Sequence, residues 1–208
     1  MPTPMPNQKP AFIPDLPVKL FKTPDAWTKW LDANHARSPG IWMRIAKKDA
    51  DLTSVNYAEA LDVALCYGWI DGQKRPLDAE SWLQRFTPRG PRSLWSKVNT
   101  AKAQALIDCG RMRAPGLAAI TSAQASGRWE SAYQPSSAAA VPPELQAALD
   151  SSPKANAFFQ TLRGANRYAL IFRVSTAKKP ETKAKRVADF IARLERGETI
   201  FGVLKKKP

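Results

Sequence analysis

The chain has 208 residues, of which 44% are hydrophobic and 9% aromatic, enough to build a core in one large domain or two small ones. Lys and Arg number 32 against 18 Asp and Glu, a net charge of +14 that favours anionic partners: nucleic acid, acidic lipid surfaces or phosphorylated small molecules. A single histidine, His35, argues against Ser-His-Asp, Cys-His and multi-histidine metal chemistry, and the two cysteines, Cys66 and Cys109, form no C-x-x-C pair.

The basic charge is uneven. Residues 1–143 carry 18 basic against 12 acidic side chains, and residues 144–208 carry 14 against 6. The N-terminus is proline-rich and has no apolar h-region, so it does not read as a secretory signal, and no run approaches the length needed to span a bilayer. A reducing cytosol is the expected location.

Residues 1–19 lack periodicity and are expected to form a flexible proline-rich arm. Thr23-Pro24-Asp25 supplies a helix start: Thr as N-cap, Pro at the first helical position and Asp against the positive end of the dipole. That helix runs to about Asn34, with Trp27, Trp30 and Leu31 as its apolar stripe and His35 at its C-terminal end. After the Ser38-Pro39-Gly40 turn, Ile41, Met43 and Ile45 alternate with Trp42, Arg44 and Ala46, the pattern of a strand with one buried face. Asn56 and Glu59 form a capping pair for a helix over 57–67 that ends at Gly68. Tyr57, Leu61, Ala64 and Leu65 are expected to face the sheet, with Glu59, Asp62, Val63 and Cys66 on the adjoining flank.

Trp69–Leu77 and Trp82–Thr87 read as an antiparallel hairpin around Asp78-Ala79-Glu80-Ser81. Alternation puts Trp82, Gln84 and Phe86 on one face and Leu83, Arg85, Thr87 and Arg89 on the other. Two arginines four residues apart on one face, Arg85 and Arg89, suit an anionic group, because each guanidinium can bind bidentately; the alternative is a solvated basic edge paired to Asp71 or Asp78. The next helix begins near Ser93, Ser96 or Asn99, each of which suits the N-cap, and stops at Gly110; another spans 114–126.

Residues 134–143 read as a linker, and all seven tryptophans precede it. Beyond it Pro143–Leu149, Ser152–Leu162, Gly164–Ser175 and Pro180–Arg196 read as four helices. The last has an apolar stripe of Ala184, Val187, Ala188, Ile191 and Leu194, and a basic outer face that includes Lys183, Lys185 and Arg186. The expected architecture is therefore α+β: a small antiparallel sheet packed against helices over 20–133, the 134–143 linker, and a basic helical bundle over 144–208.

The runs Y-A-E-A-L-D-V-A-L-C-Y-G-W-I-D-G-Q-K-R, W-L-Q-R-F-T-P-R, S-L-W-S-K-V-N, G-R-M-R-A-P-G-L and A-K-K-P-E-T-K-A-K-R-V resemble the YdeI/OmpD-associated, or bacteriocin-protection, family over about residues 20–202. The resemblance implies a bacterial protein with an α+β N-terminal domain and a helical tail, linked by name to bacteriocin or envelope-stress resistance. The N-terminal layout is also similar to frataxin-like iron chaperones at the level of fold, but those rely on acidic surfaces.

The leading functional reading is a non-enzymatic cytosolic binding or protective protein. Its anion pocket would draw on Asp71, Lys74, Arg85, Arg89, Ser93, Trp95, Ser96 and Asn99, where the arginine-bearing strand approaches a helix N-terminus. The expected partner is a small anionic ligand or a protein, with no cofactor and no metal. A nucleic-acid binder using Lys183, Lys185 and Arg186 is the second reading. An enzyme is the third, with Asp71 and Glu59 as its candidate acid and base and no recognisable nucleophile. Glu59, Asp62 and Cys66 form the fallback site.

Overall fold

The computed structural model describes residues 16–203. The proline-rich segment before residue 16 lies outside them. The chain divides into two compact units: one runs up to Ser93 and resumes over Ala101–Trp129, and the other comprises Leu94–Thr100 and the chain from Glu130.

The first unit is built on a four-stranded sheet, β1 (Val18–Leu20), β2 (Ile41–Ala46), β3 (Trp69–Pro76) and β4 (Ser81–Pro88), in the order β1-β2-β4-β3. The hairpin and the β2–β4 pairing are antiparallel as predicted, but β1 runs parallel to β2, so the sheet is mixed. Val18 and Lys19, assigned to the proline-rich arm, instead pair with Trp42 and Met43. A three-residue strand with two half-exposed apolar side chains carries too little alternation to be read from sequence.

Helix α1 (Pro24–Asn34) begins as the sequence dictates, with the Ala26 N–H donating to Thr23 Oγ1 at 3.2 Å, and it ends where His35 Nδ1 lies 2.9 Å from the Leu31 carbonyl. Helix α2 (Tyr57–Cys66) opens on the Asn56–Glu59 capping box, and Gly68 closes it in the left-handed conformation, φ +70°. Both helices cover the face of Ile41, Met43, Ile45 and Phe86. Trp27, fully buried, stands 5.9 Å from both Trp69 and Phe86, and its indole N–H donates to the Ala60 carbonyl at 3.1 Å.

Helix α3 (Lys97–Asp108) crosses the division between the units, and α4 (Ala114–Ala125) completes the first. Helix α2 is buried on more sides than its sheet-facing stripe predicts: Val63 and Cys66, assigned to its flank, are also enclosed. Helix α4 explains part of this, for Gly116 sits so close to the end of α2 that a Cβ there would fall 2.4 Å from the Cys66 carbonyl oxygen. Tyr57, assigned to the sheet side, is 37% exposed.

The second unit is helical: α5 (Pro143–Asp150), α6 (Pro153–Thr161), α7 (Gly164–Ser175) and α8 (Pro180–Glu195), then a two-stranded ribbon, β5 (Glu198–Thr199) and β6 (Gly202–Val203). Its core joins Leu145, Leu149, Phe159, Leu170, Val174, Phe190 and Leu194. On α8 the buried line is Val187, Phe190 and Leu194, turned slightly from the predicted stripe. Ala184, Ala188 and Ile191 instead line a groove of about 870 Å³ between α5 and α8.

Candidate functional site

The strand register decides which predicted site residues share a face. Asp71 pairs with Phe86 and Lys74 with Gln84, so both point to the helix-covered face; Arg85 pairs with Trp42 and points to the far face. Asp71 and Lys74 therefore do not join Arg85, contrary to the grouping drawn from the sequence. Alternation within a strand is legible in sequence, but register across a hairpin depends on the turn and on bulges. Here a bulge falls between Asp71 and Lys74, opposite Arg85.

The bulge shapes the surroundings of Arg85. A Cβ at Gly72 would meet the Arg85 stem at 3.6 Å, an ordinary van der Waals contact, so the bulge backs directly onto that stem. On the other face the Gln84 amide donates to the Gly72 carbonyl at 2.9 Å, which ties the bulge to β4. The far face carries Trp42 and Arg44 from β2, Leu83, Arg85 and Thr87 from β4, and Ile70 and Arg75 from β3. The Arg75 guanidinium lies 4.5 Å from the centre of the Trp42 ring, and Trp42 is only 4% exposed.

Three guanidiniums thus share two neighbouring rows of one face. Arg44 is neutralised by an ion pair to Asp78 at 2.9 Å, and its Nε donates to the Ser81 hydroxyl at 2.8 Å. The Ser81 hydroxyl in turn donates to Asp78 at 2.7 Å; that bond, with backbone donors from Ser81 and Glu80 and the charge of Arg44, holds the Asp78 carboxyl below its usual range. Asp71, the other acid within reach in the sequence reading, accepts from the Tyr57 hydroxyl at 2.8 Å. Neither takes Arg85, whose Nε is buried and has no hydrogen-bond partner among the described residues. An orphaned buried donor of this kind costs about 1–3 kcal/mol, which an incoming acceptor would recover.

The remaining predicted residues are held locally. The Arg89 N–H donates to the Gly68 carbonyl at 2.9 Å, joining the end of β4 to the start of β3. Ser93 Oγ accepts from the Gly90 N–H at 3.0 Å in the turn that follows. In the second unit, Ser96 Oγ accepts the Asn99 N–H at 3.1 Å, which makes Ser96 the cap among the three candidates for α3. Trp95 is buried, and its carbonyl accepts from the Tyr133 N–H at 3.0 Å. Trp95, Ser96 and Asn99 belong to the second unit and the other five predicted residues to the first.

On α8, Lys183 is engaged by Glu144 at 2.8 Å and Arg186 donates to the Arg173 carbonyl; Lys185 is exposed. Of the fallback residues, Glu59 completes the capping box, Asp62 accepts from Lys102 at 2.7 Å, and burial pushes the Cys66 thiol up from its ordinary value. Each has a structural task. The sequence reading missed Arg75 and Arg44, whose signal was the same alternation that selected Arg85. It also missed Tyr67, whose hydroxyl donates to Asp32 at 2.5 Å and whose pKa is pushed up to about 12 by burial and then by that carboxylate.

Among the described residues no group of three or more His, Cys, Asp or Glu could hold a metal ion, and no helix is long and apolar enough to cross a membrane. Two family models match the sequence. Residues 19–119 match a domain of unknown function (DUF8412), and residues 138–197 match the family described as Bacteriocin-protection, YdeI or OmpD-Associated. No curated protein and no solved structure gives a match. The runs from Tyr57 to Asn99, read above as part of one resemblance, fall within the first of these segments. The chain is therefore similar to the YdeI/OmpD-associated family over residues 138–197 and to a domain of unknown function over residues 19–119.

Proposed function

We propose that the protein is a non-enzymatic binding protein of the cytosol, and that its sheet domain holds a small anion on the far face through Arg85, with Arg44 and Arg75 beside it. The observation that carries this reading is the buried Arg85 Nε, which has no acceptor among the described residues: Asp78 is paired to Arg44, and Asp71 lies on the opposite face with Tyr57. A carboxylate, sulfate or phosphate oxygen would satisfy that donor, and the planar guanidinium allows a second parallel bond. The bulge at Gly72 and the Arg75–Trp42 stack fix two walls of the site in advance, which reduces the entropy lost on binding. Through the region similar to the YdeI/OmpD-associated family the protein would take part in protection against bacteriocins or envelope stress, the anion being what the sheet domain senses or sequesters.

Isothermal titration of the full chain with inorganic phosphate and with sulfate tests the reading. Arg85→Lys keeps the charge and loses the fork, so it should weaken binding by roughly tenfold, the value of one charge-assisted hydrogen bond. Binding unchanged in Arg85→Lys and Arg85→Ala would remove the site.

A further inference from the structure

The helix-covered face of the same sheet carries a second basic cluster, at the end where β2 leaves the sheet. Lys47 and Lys48 in the turn after β2, Lys74 on β3, Ala46, Pro76 and Trp82 line a concavity of about 560 Å³, and none of its described lining residues is acidic. Three ammonium groups in one hollow with no carboxylate among those residues make a strongly cationic site.

Two of the three lysines are already positioned. The Lys47 ammonium donates to the carbonyls of Asp78 and Ala79 at 2.7 and 2.9 Å, which leaves one of its three N–H groups for a ligand. The Lys74 ammonium sits 4.0 Å from the centre of the Trp82 ring, a cation–π contact that holds a flexible side chain over the hollow. Lys48 is exposed. Fixing lysines before a ligand arrives removes part of the rotamer entropy that binding would otherwise cost. Asp71 on the same face accepts from Tyr57, and Asp78 accepts from Arg44 and Ser81; Asp49, Asp51 and Glu80 sit in the adjoining turns and do not line the hollow. Compact ammonium groups suit a tetrahedral anion as point charges, whereas the far face offers guanidinium forks.

We infer that the Lys47–Lys48–Lys74–Trp82 hollow is a binding site for the phosphate groups of a small phosphorylated molecule. The site is separate from Arg85, which points to the opposite face. The phosphates would be those of a nucleotide or of an inorganic polyphosphate, and Trp82 separates the two. Stacking of a base on Trp82 requires Lys74 to move aside, and it would add affinity that tripolyphosphate lacks.

The test is isothermal titration of the full chain with tripolyphosphate, ATP and adenosine, without divalent cations. Tripolyphosphate and ATP should bind and adenosine should not. Lys48→Glu with Lys74→Glu, both at exposed positions, should weaken the two phosphate ligands at least tenfold while leaving the phosphate response of Arg85 unchanged. ATP at least fivefold tighter than tripolyphosphate, with the difference lost in Trp82→Leu, would assign a nucleotide; equal affinities would assign polyphosphate. Both results support the site. Failure of tripolyphosphate to bind, binding that survives the double charge reversal, or binding abolished by Arg85→Ala alone would overturn it.

Discussion

Arg85→Met separates a ligand-directed arginine from a structural one. The substitution keeps an unbranched stem against Gly72 and removes the guanidinium. A paired buried arginine would cost about 3–5 kcal/mol to remove, because its partner would be left uncompensated. Arg85 has a buried Nε without an acceptor among the described residues, so its removal abolishes a penalty of about 1–3 kcal/mol and leaves no carboxylate stranded. The free variant should therefore be as stable as the parent, or more stable by up to about 1–3 kcal/mol. Urea denaturation followed by tryptophan fluorescence is a suitable assay, since every tryptophan except Trp95 lies in the first unit. Adding phosphate at about 100 times its Kd should stabilise the parent by about 2.7 kcal/mol and the variant hardly at all. A variant destabilised by more than about 1 kcal/mol without phosphate would show that Arg85 is a structural residue and refute the reasoning.

Gly116→Ala should destabilise the protein by about 1–3 kcal/mol despite alanine's better helix propensity, because the new Cβ would meet the Cys66 and Leu65 carbonyls at 2.4 and 2.8 Å; equal or raised stability in thermal melts would contradict the α2–α4 packing. Tyr67, with a folded-state pKa of about 12 against about 10 when unfolded, should contribute stability in full below pH 10 and lose it as pH rises towards 12. Ultraviolet titration of Tyr67→Phe should lack that late-ionising tyrosine, and Asp32→Asn should bring it earlier. Since Lys183 and Arg186 are engaged within the second unit, DNA binding should be weak, with a log–log salt slope no steeper than about −2; a slope of −4 or beyond that falls on charge reversal at Lys183, Lys185 and Arg186 would restore the nucleic-acid reading.

Most of the regular structure was legible because capping chemistry and periodicity agreed. Thr23-Pro24, Asn56 with Glu59, and Gly68 fixed two helices almost to the residue, and the alternation around Met43 and Gln84 fixed two strands. Val18–Leu20 was missed because three residues carry no usable period and their parallel pairing is a tertiary event. The candidate site was half legible. Parity within β4 placed Arg85 on the face away from Phe86, but Asp71 and Lys74 were joined to it because cross-strand register is not written in either strand. Phe190 was overlooked on α8 for a related reason. A helix with apolar residues at 184, 187, 188, 190, 191 and 194 offers two overlapping faces, and the packing of α5, α6 and α7 selects which one is buried.

The most direct measurement is a phosphate titration of arginine side-chain Nε–H resonances by NMR, with Arg85 assigned through Arg85→Lys. The account predicts that the Arg85 resonance shifts saturably and by the largest amount, that Arg44 and Arg75 shift with the same Kd, and that Lys48→Glu with Lys74→Glu leaves all three unchanged. An Arg85 resonance that stays fixed while phosphate saturates the protein would contradict it.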